Sequence, residues 1–226
     1  TQGRAPVPMV VRTQQGATHG SCAQTSQSLE ALLFPIPGLL LGMPATPQDA
    51  YDMLRAAAAA DDPTILIEAR GIYPRKGEVA FGKVPDPIGT ARLARDGGDL
   101  AIIAWGTAAL EALDAAEKLA TEGIQAAVLD LRWLAPLDER EISDVVRKAK
   151  GRVLVVHEAN RTGGVGAEIA ARIHENHRDA IVRRLGAPDT RIPASPVLQA
   201  ALLPKADAIV ATARALAKQS GAAQPA

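Results

Sequence analysis

Cysteine is almost missing from this sequence, because Cys22 is the one thiol among 226 residues. A single cysteine cannot form an internal disulfide, so a disulfide-stabilised framework is excluded. An excess of charge is missing too, since 25 Lys and Arg balance 25 Asp and Glu. Without a positive field to attract phosphate groups, we predict no nucleic-acid partner and no membrane partner. These absences are typical of a reducing, cytoplasmic compartment.

Long apolar runs are also absent, and none approaches the roughly 20 residues that a membrane-spanning helix needs. The first ten residues, TQGRAPVPMV, lack the apolar core of a secretory signal and the Arg-rich character of a transit peptide. They are typical of a chain that enters in the middle of a fold. A chain of this length buries roughly 70% of its unfolded surface, so we expect a globular protein.

Short apolar runs alternate with helical segments along the first 70 residues. The predicted strands are residues 9–11, 39–43 and 64–68. After a Gly-rich loop, a helix is predicted to begin near Gln27 and Ser28. A second helix is predicted to begin at Thr46 and Pro47, which are the residue types of an N-cap and a first helical position. This order of strands and helices predicts parallel α/β architecture.

The alternation is more complete in the second half of the sequence. The predicted strands there are residues 100–104, 126–131, 153–157 and 181–185, and the predicted helices are residues 108–122, 139–149, 166–176 and 206–218. The runs AIIAW and VLVV are continuously apolar, as in strands covered on both faces. The predicted organisation is a first α/β unit at residues 1–75, a linker at 76–86, a second α/β unit at 87–219 and a disordered tail at 220–226.

Four segments carry a family resemblance. They are IPGLLLGMPATPQDA, DLRWLAPLD, VVHEANRTGGVGAEIAARI and APDTRIPASPVLQAALLP. Together and in this order they resemble the β subunits of pyruvate and branched-chain 2-oxo acid dehydrogenases, which are thiamin-diphosphate E1 components of a transketolase-like family. The resemblance implies the C-terminal part of a pyrimidine-binding domain, followed by a transketolase C-terminal domain with a mostly parallel sheet.

The resemblance also implies what this chain shares with partners. The front part of the pyrimidine-binding domain, with the glutamate that activates the cofactor, precedes the matching region in the family, so we expect an incomplete active site. The diphosphate of thiamin diphosphate and its Mg are expected on an α-type E1 subunit. We further expect a heterotetramer, self-association through the C-terminal domain, and transfer of the acyl group to a lipoyl acyltransferase (E2) core.

The segment CAQTSQSLEA aligns with the H-S-Q-S-x-E-A segment of that family, in which the histidine faces the cofactor. Thr25 occupies the histidine position, and a hydroxyl with no pKa near neutrality cannot replace an imidazole in proton transfer. By resemblance, Thr25, Gln27 and Ser28 line the cofactor pocket, although Ser28 could simply cap a helix. His19 is a candidate displaced acid or base, and the alternative is a solvated loop histidine.

The segment HEANRTGGVGAE places glycines at a strand-to-helix turn. Gly163, Gly164 and Gly166 could form a phosphate cradle, but their spacing is GGxG rather than GxGxxG. The resemblance favours a contact between subunits, to which we also assign His157 and Glu158 at the strand end. The alternative for His157 is a hydrogen-bonded structural histidine. No metal site is predicted, and residues 130–138 are interpreted as a turn without chemistry.

Three functions are compatible with these observations. The leading hypothesis is a β-type subunit that takes part in oxidative decarboxylation of a 2-oxo acid and is inactive alone. A second hypothesis is ketol transfer of the transketolase type, which the change at Thr25 permits. A third is a non-catalytic dimerisation or docking module.

Overall fold

Nine strands form two sheets within residues 5–219, the part of the chain that the computed structural model describes. The strands are β1 Val10–Gln15, β2 Leu40–Gly42, β3 Thr64–Ala69, β4 Arg92–Arg95, β5 Leu100–Ala104, β6 Ala126–Asp130, β7 Trp133–Ala135, β8 Arg152–Asn160 and β9 Ile181–Ala187. The first sheet has the order β1-β3-β2-β7 and the second the order β4-β6-β5-β8-β9. All pairs are parallel except β2 with β7 and β4 with β6. The predicted mostly parallel α/β fold is confirmed.

Eight α-helices accompany these strands over the same residues. They are α1 Ala23–Ser26, α2 Glu30–Leu33, α3 Pro47–Ala58, α4 Thr107–Thr121, α5 Glu139–Lys148, α6 Val165–Asn176, α7 Pro196–Leu202 and α8 Ala206–Ala217. No helix in this part of the chain is long and apolar enough to cross a membrane. The predicted tail at residues 220–226 lies outside the described residues.

The second sheet is covered on both faces, as its apolar runs predicted. Every residue of β5 and β6 is buried. Leu100 and Ile102 face a core formed with α4 and α8, whereas Ile103 and Val155 face a second core formed with α5 and α6. Opposite faces of one strand therefore enter separate apolar clusters, because successive side chains point to opposite sides of a sheet.

Helix α3 begins as its sequence predicted. The Asp49 N–H donates to Thr46 Oγ1 and the Thr46 N–H donates to Asp49 Oδ2, both at 3.1 Å. This reciprocal capping box satisfies two backbone donors at the helix N-terminus, and Pro47 occupies the first turn, where its missing N–H costs nothing. The cap thus fixes the point at which the chain turns from β2 into the helix.

The segment predicted as a linker packs against α3. After a 3-10 turn at Arg70–Ile72 the chain has no regular structure up to β4. The Ala80 N–H donates to Gln48 Oε1 at 2.7 Å, and the Phe81 ring meets the Tyr51 ring edge to face at 5.2 Å. Residues 80 and 81 of the predicted linker therefore pack against helix α3 of the first unit.

The turn predicted at residues 130–138 contains a strand. β7 pairs antiparallel with β2, so a segment that lies between two elements of the second unit completes the sheet of the first. The three residues between Arg132 and Pro136 are too few to show the alternation that predicts a strand. Their pairing depends on contact with β2, which is distant in the sequence. Strand β4 and helix α7 were also not predicted.

A partly buried ionic network joins the two units. Arg92 donates to Asp49 at 3.0 Å and to Asp130 at 2.9 Å, and Arg132 donates to Asp86 at 2.8 Å. Asp49 lies on α3 of the first unit, whereas Arg92 and Asp130 lie on β4 and β6 of the second. Burial is the main cause that raises the pKa of Asp130 to about 7, and the neighbouring Asp49 carboxylate adds to the rise. The Arg92 guanidinium lowers this pKa and so opposes them.

Candidate functional site

The segment that connects β1 to α2, here called the 16–29 loop, lies where the two units meet. It follows the carboxyl end of β1 beside the carboxyl end of β3, and contacts the carboxyl end of β8 in the other sheet. Crevices outside the carboxyl ends of parallel strands are where open α/β sheets bind ligands. The loop that the family resemblance singled out is therefore at the edge expected for a site.

The loop begins at a residue that must be glycine. Gly16 has φ +91°, a conformation that side chains with a Cβ rarely adopt, and a Cβ there would meet Glu158 Oε1 at 2.9 Å. That same oxygen accepts a hydrogen bond from the Ala17 N–H at 2.7 Å. Burial raises the pKa of Glu158, and the Ala17 hydrogen bond opposes the rise.

The end of the loop is held by a second buried carboxylate. Glu30 is 1% exposed and accepts hydrogen bonds from Gln15 Nε2 at 2.7 Å and from Trp105 Nε1 at 3.1 Å. Gln15 Oε1 in turn accepts the Leu29 N–H at 2.9 Å. Both oxygens of Glu30 are thus occupied, and a residue from each unit contributes a donor.

Polar contacts also hold the middle of the loop. The hydroxyl oxygens of Ser21 and Ser26 lie 2.6 Å apart. Arg70 Nη1 donates to the Thr25 carbonyl at 2.8 Å, and Gln199 Nε2 donates to the Ser21 carbonyl at 2.6 Å. Gln199 lies on α7, so the second unit contacts the loop there as well.

The structure brings the predicted loop residues together, with different exposure. His19 and Thr25 are exposed, Gln27 is half-buried and Ser28 is 9% exposed. The helix predicted to begin near Gln27 and Ser28 begins instead at Glu30, and no side chain caps it. The capping alternative for Ser28 is therefore wrong.

His157 lies in a cage of glycines. The ring is fully buried and stacks on Trp105 with centroids 5.3 Å apart. A Cβ at Gly164 or Gly166 would meet a ring carbon at 2.6 Å, and one at Gly186 at 2.9 Å. Gly164 and Gly166 thus leave space for the imidazole, which gives two of the three glycines of the GGxG turn a packing role, whereas a Cβ at Gly163 would meet nothing within 4 Å.

The alternative of a hydrogen-bonded His157 is wrong. Neither ring nitrogen has a hydrogen-bond partner of acceptable geometry among residues 5–219. Burial lowers the pKa of His157 to about 4, only partly offset by the backbone of Ala159. The ring is consequently neutral at physiological pH, and this side chain cannot itself contact a partner subunit. Gly163 is exposed and Glu158 partly so, and the subunit contact assigned to this turn stays a prediction.

A cleft of about 680 Å³ lies beside the same turn. The first unit contributes Phe34 and Ile36 to its lining, and the second contributes Leu137, Gly163 and Val165. It therefore spans both units, and charged side chains such as Glu168 and Arg172 line it together with these apolar residues.

Some residues of the site were not predicted from the sequence. Trp105 follows the buried run LAIIA at a strand's carboxyl end, a position that could have marked it. Gln15 and Gln199 carry no comparable signal, because their roles depend on a fold that brings three separate segments together.

Comparison with known families identifies the class of protein. The model of the transketolase C-terminal domain matches residues 89–209, and that of the transketolase pyrimidine-binding domain matches residues 1–76. The chain belongs to the transketolase family. Residues 77–88, between the two matches, contain most of the segment predicted as a linker.

Within this family, the chain is similar to β subunits of named oxidoreductases. The chain is 40% identical over 211 residues to the β subunit of acetoin:2,6-dichlorophenolindophenol oxidoreductase of Bacillus subtilis, covering 92% of this chain and 61% of the relative. The same subunit of Cupriavidus necator is 37% identical over 215 residues, covering 94% and 63%. The β subunit of 2-oxoisovalerate dehydrogenase of Bacillus subtilis is 38% identical over 216 residues, covering 93% and 66%. The chain thus spans less than two thirds of the length of these relatives.

A solved structure shares the fold. It is described as a split gene transketolase, an inactive β4 tetramer, and superposes with a TM-score of 0.78 at 23% identity. The superposition covers 94% of this chain and 67% of that one.

The residues present fit only part of thiamin diphosphate. The 16–29 loop offers hydroxyl and amide groups next to Leu29, which is 55% exposed and could cover one face of a flat heterocycle. Glu30 is 1% exposed and accepts hydrogen bonds from Gln15 and Trp105, so its carboxylate supports the loop from the interior and is not presented to a ligand. Within residues 5–219 no cluster of three or more His, Cys, Asp or Glu is arranged to hold a metal ion.

Proposed function

We propose that this chain is the β-type part of a thiamin-diphosphate-dependent E1 component, an oxidoreductase that takes part in oxidative decarboxylation of a 2-oxo acid. The observation that carries the proposal is the 16–29 loop, which matches the family's cofactor-facing motif and lies at the carboxyl ends of β1 and β3. The relatives named above support the same class.

The cofactor is shared under this proposal. A partner of α type holds the diphosphate and Mg, and this chain contributes Thr25, Gln27 and Ser28 to the side that faces the aminopyrimidine. When bound, thiamin diphosphate supplies the carbanion chemistry. The chain's own part is to bind and orient the ring, because Gln27 and Ser28 belong to a loop held at both ends.

Proton transfer is assigned to His19. Thr25 stands where the family has its histidine, and its hydroxyl is exposed. His19 lies in the same loop and is also exposed, which leaves its imidazole accessible to a bound substrate. A positioned imidazole is the usual group for proton transfer near neutral pH.

The assembly proposed is a heterotetramer in the cytoplasm. It contains the α-type E1 subunit, self-associates through the C-terminal domain at the Gly163 turn, and delivers its acyl group to a lipoyl acyltransferase (E2) core. The exposed Gly163 and the cleft beside it, which both units line, support a contact between subunits at this place.

A second substrate class is favoured by two observations. Two relatives are named as acetoin oxidoreductase subunits, and acetoin is a 2-hydroxyketone rather than a 2-oxo acid. Thr25 also removes the imidazole of the dehydrogenase motif. Cleavage beside the carbonyl of a hydroxyketone needs the same cofactor, so the residues that bind the ring would be unchanged.

The test is calorimetry with thiamin diphosphate and Mg, on the chain alone and mixed with its α-type partner. Binding only in the mixture supports the shared site, and no binding in either sample would support the docking-module alternative. The binding-competent mixture is then assayed with pyruvate, 2-oxoisovalerate and acetoin, using 2,6-dichlorophenolindophenol as acceptor. Turnover of either oxo acid supports the leading function, and turnover of acetoin alone assigns the second.

A further inference from the structure

We propose that the second unit acts as a positioning clamp on the 16–29 loop, through Glu158, Trp105 and Gln199. This inference rests on the proposed function only in assigning the clamped loop to the cofactor. The clamp itself follows from contacts in the chain. It gives the transketolase C-terminal unit a direct part in shaping the site, through residues that touch the loop and not the ligand.

The first contact fixes where the loop begins. Glu158 Oε1 accepts the Ala17 N–H at 2.7 Å, immediately after the left-handed turn at Gly16. The carboxylate comes from β8, the longest strand of the second sheet, so it is held by a rigid element. A charged acceptor makes a stronger bond to a backbone N–H than a neutral one does.

The second contact fixes where the loop ends. Trp105 Nε1 donates to Glu30, Glu30 accepts from Gln15, and Gln15 Oε1 accepts the Leu29 N–H. Trp105 is itself immobilised against the buried His157 ring. The chain of hydrogen bonds therefore runs from the interior of the second unit to the residue that follows Ser28.

The third contact holds the middle of the loop. Gln199 Nε2 donates to the Ser21 carbonyl at 2.6 Å and to the Pro193 carbonyl at 2.9 Å. The amide is 6% exposed, so little water competes for these bonds. One side chain thereby connects the loop to the segment that precedes α7.

The loop needs such external support. Its one helix, α1, has four residues, and no side chain caps it. An isolated turn of this length is not stable, because helix nucleation is unfavourable. His19 and Thr25 are exposed and add little packing. Hydrogen bonds from outside the loop therefore add to the short contact between Ser21 and Ser26 within it.

Hydrogen exchange on the full chain tests the clamp without cofactor or partner. In Glu158→Leu, Trp105→Phe and Gln199→Leu we expect amides of the 16–29 loop to exchange at least tenfold faster, with β5 and β6 unchanged. Glu158→Gln should restore slow exchange at Ala17, because the amide oxygen still accepts a hydrogen bond. The matched control is Glu122→Leu, which removes an exposed carboxylate of the same unit that pairs with Arg214, far from the loop in sequence.

Two less disruptive variants keep the test valid if Glu158→Leu impairs folding. If Glu158→Leu also accelerates exchange in β5, Glu158→Asp replaces it, since the shorter side chain withdraws its oxygen from Ala17 while keeping the charge. Loop exchange within twofold of the parent in both Glu158→Asp and Gln199→Leu would overturn the clamp.

Binding in the presence of the α-type partner connects the clamp to function. The same variants should weaken the apparent affinity for thiamin diphosphate and Mg about tenfold, whereas the control Glu122→Leu should leave that affinity unchanged. Faster loop exchange with unchanged cofactor affinity would support the clamp and overturn the assignment of the loop to the cofactor. The two failures are therefore distinguishable.

Discussion

The Trp105 indole and the His157 imidazole lie face to face, with an interplanar angle of 13° and centroids 5.3 Å apart. The same indole donates its N–H to Glu30, so one side chain joins an apolar stack to the polar support of the loop. The His157 imidazole, which is the other ring of this pair, makes no hydrogen bond within the described residues. It therefore packs as an apolar core residue in its neutral form.

Stability should fall as the pH is lowered through the range in which unfolded histidine gains a proton. The pKa of His157 falls from 6.5 to about 4 on folding, so the unfolded state binds the proton first. This contribution to stability is complete above pH 6.5 and is lost progressively toward pH 4, by roughly 3 kcal/mol. Urea denaturation at several pH values measures it.

The variant His157→Leu isolates this effect from other titrating groups. Asp130 acts in the opposite sense, because a pKa raised to about 7 stabilises the folded state at low pH and loses that benefit as the pH rises from 3.8 to 7. The difference between parent and variant removes the contribution of Asp130. Parallel stability curves for the two proteins would show that His157 is not the titrating group.

The glycine cage predicts a specific steric cost. In Gly166→Ala the new Cβ would meet His157 Cδ2 at 2.6 Å and Nε2 at 2.7 Å, so the ring or the helix must shift. We expect a loss of about 1–3 kcal/mol in the free energy of unfolding, despite the better helix propensity of alanine. Gly98→Ala is the control, because its nearest heavy atom is 4.0 Å away, and it should be neutral or slightly stabilising. Equal effects at the two sites would refute the cage.

Removal of Arg92 should be far more damaging than removal of a surface arginine. Arg92→Met leaves Asp49 and Asp130, whose side chains are 2% and 1% exposed, without their main cation. Breaking a buried pair in this way costs about 3–5 kcal/mol. The control Arg214→Met removes a bidentate but exposed pair with Glu122 and should leave the free energy of unfolding nearly unchanged, because solvent screens such a pair. Chemical denaturation at pH 8 decides, and a loss below about 1 kcal/mol for Arg92→Met would contradict the network.

The catalytic assignment is tested by exchanging loop residues in the reconstituted enzyme. His19→Gln should lower kcat by about 10²–10⁴ with KM nearly unchanged, as expected for loss of a proton-transfer group. His174→Gln is the control, on a helix outside the loop. An unchanged kcat for His19→Gln would place the acid or base elsewhere.

Restoring the motif histidine gives the complementary experiment. Thr25→His places an imidazole where the 2-oxo acid dehydrogenase motif has one, on an exposed position that has room for it. We expect faster turnover of a 2-oxo acid by this variant, measured against acetoin in the same preparation. A variant with less 2-oxo acid turnover than the parent would show that Thr25 is the residue suited to this site.

Local pattern predicted most of the second sheet, because runs such as Leu100–Ala104 are buried on both faces and their sequence shows it. The start of α3 was equally readable, since Thr46 and Pro47 act through neighbours in the chain. The loop was found through its motif. Its supports were not, because Glu158 and Ala17 are 141 residues apart and meet only in the folded chain.

Two errors have a common physical origin. The alternative interpretation of His157, a hydrogen-bonded histidine, rested on how buried imidazoles usually behave, yet glycines 164 and 166 enclose the ring and supply no partner. β7 was interpreted as a turn because three residues carry too little pattern to show which sheet they join. In both cases the deciding neighbours come from distant parts of the chain.

The pairing of β7 with β2 restricts how this chain can be divided or recombined. Gly42 sits against Trp133, and a Cβ at residue 42 would come within 2.9 Å of the indole. If the chain were cut between residues 76 and 88, the N-terminal fragment would lack β7, the antiparallel edge strand of the first sheet. That strand would remain on the C-terminal fragment. The sequence has two family domains in series, but they are not exchangeable modules. A second domain taken from another protein would complete this sheet only if it also brought a strand that paired with β2.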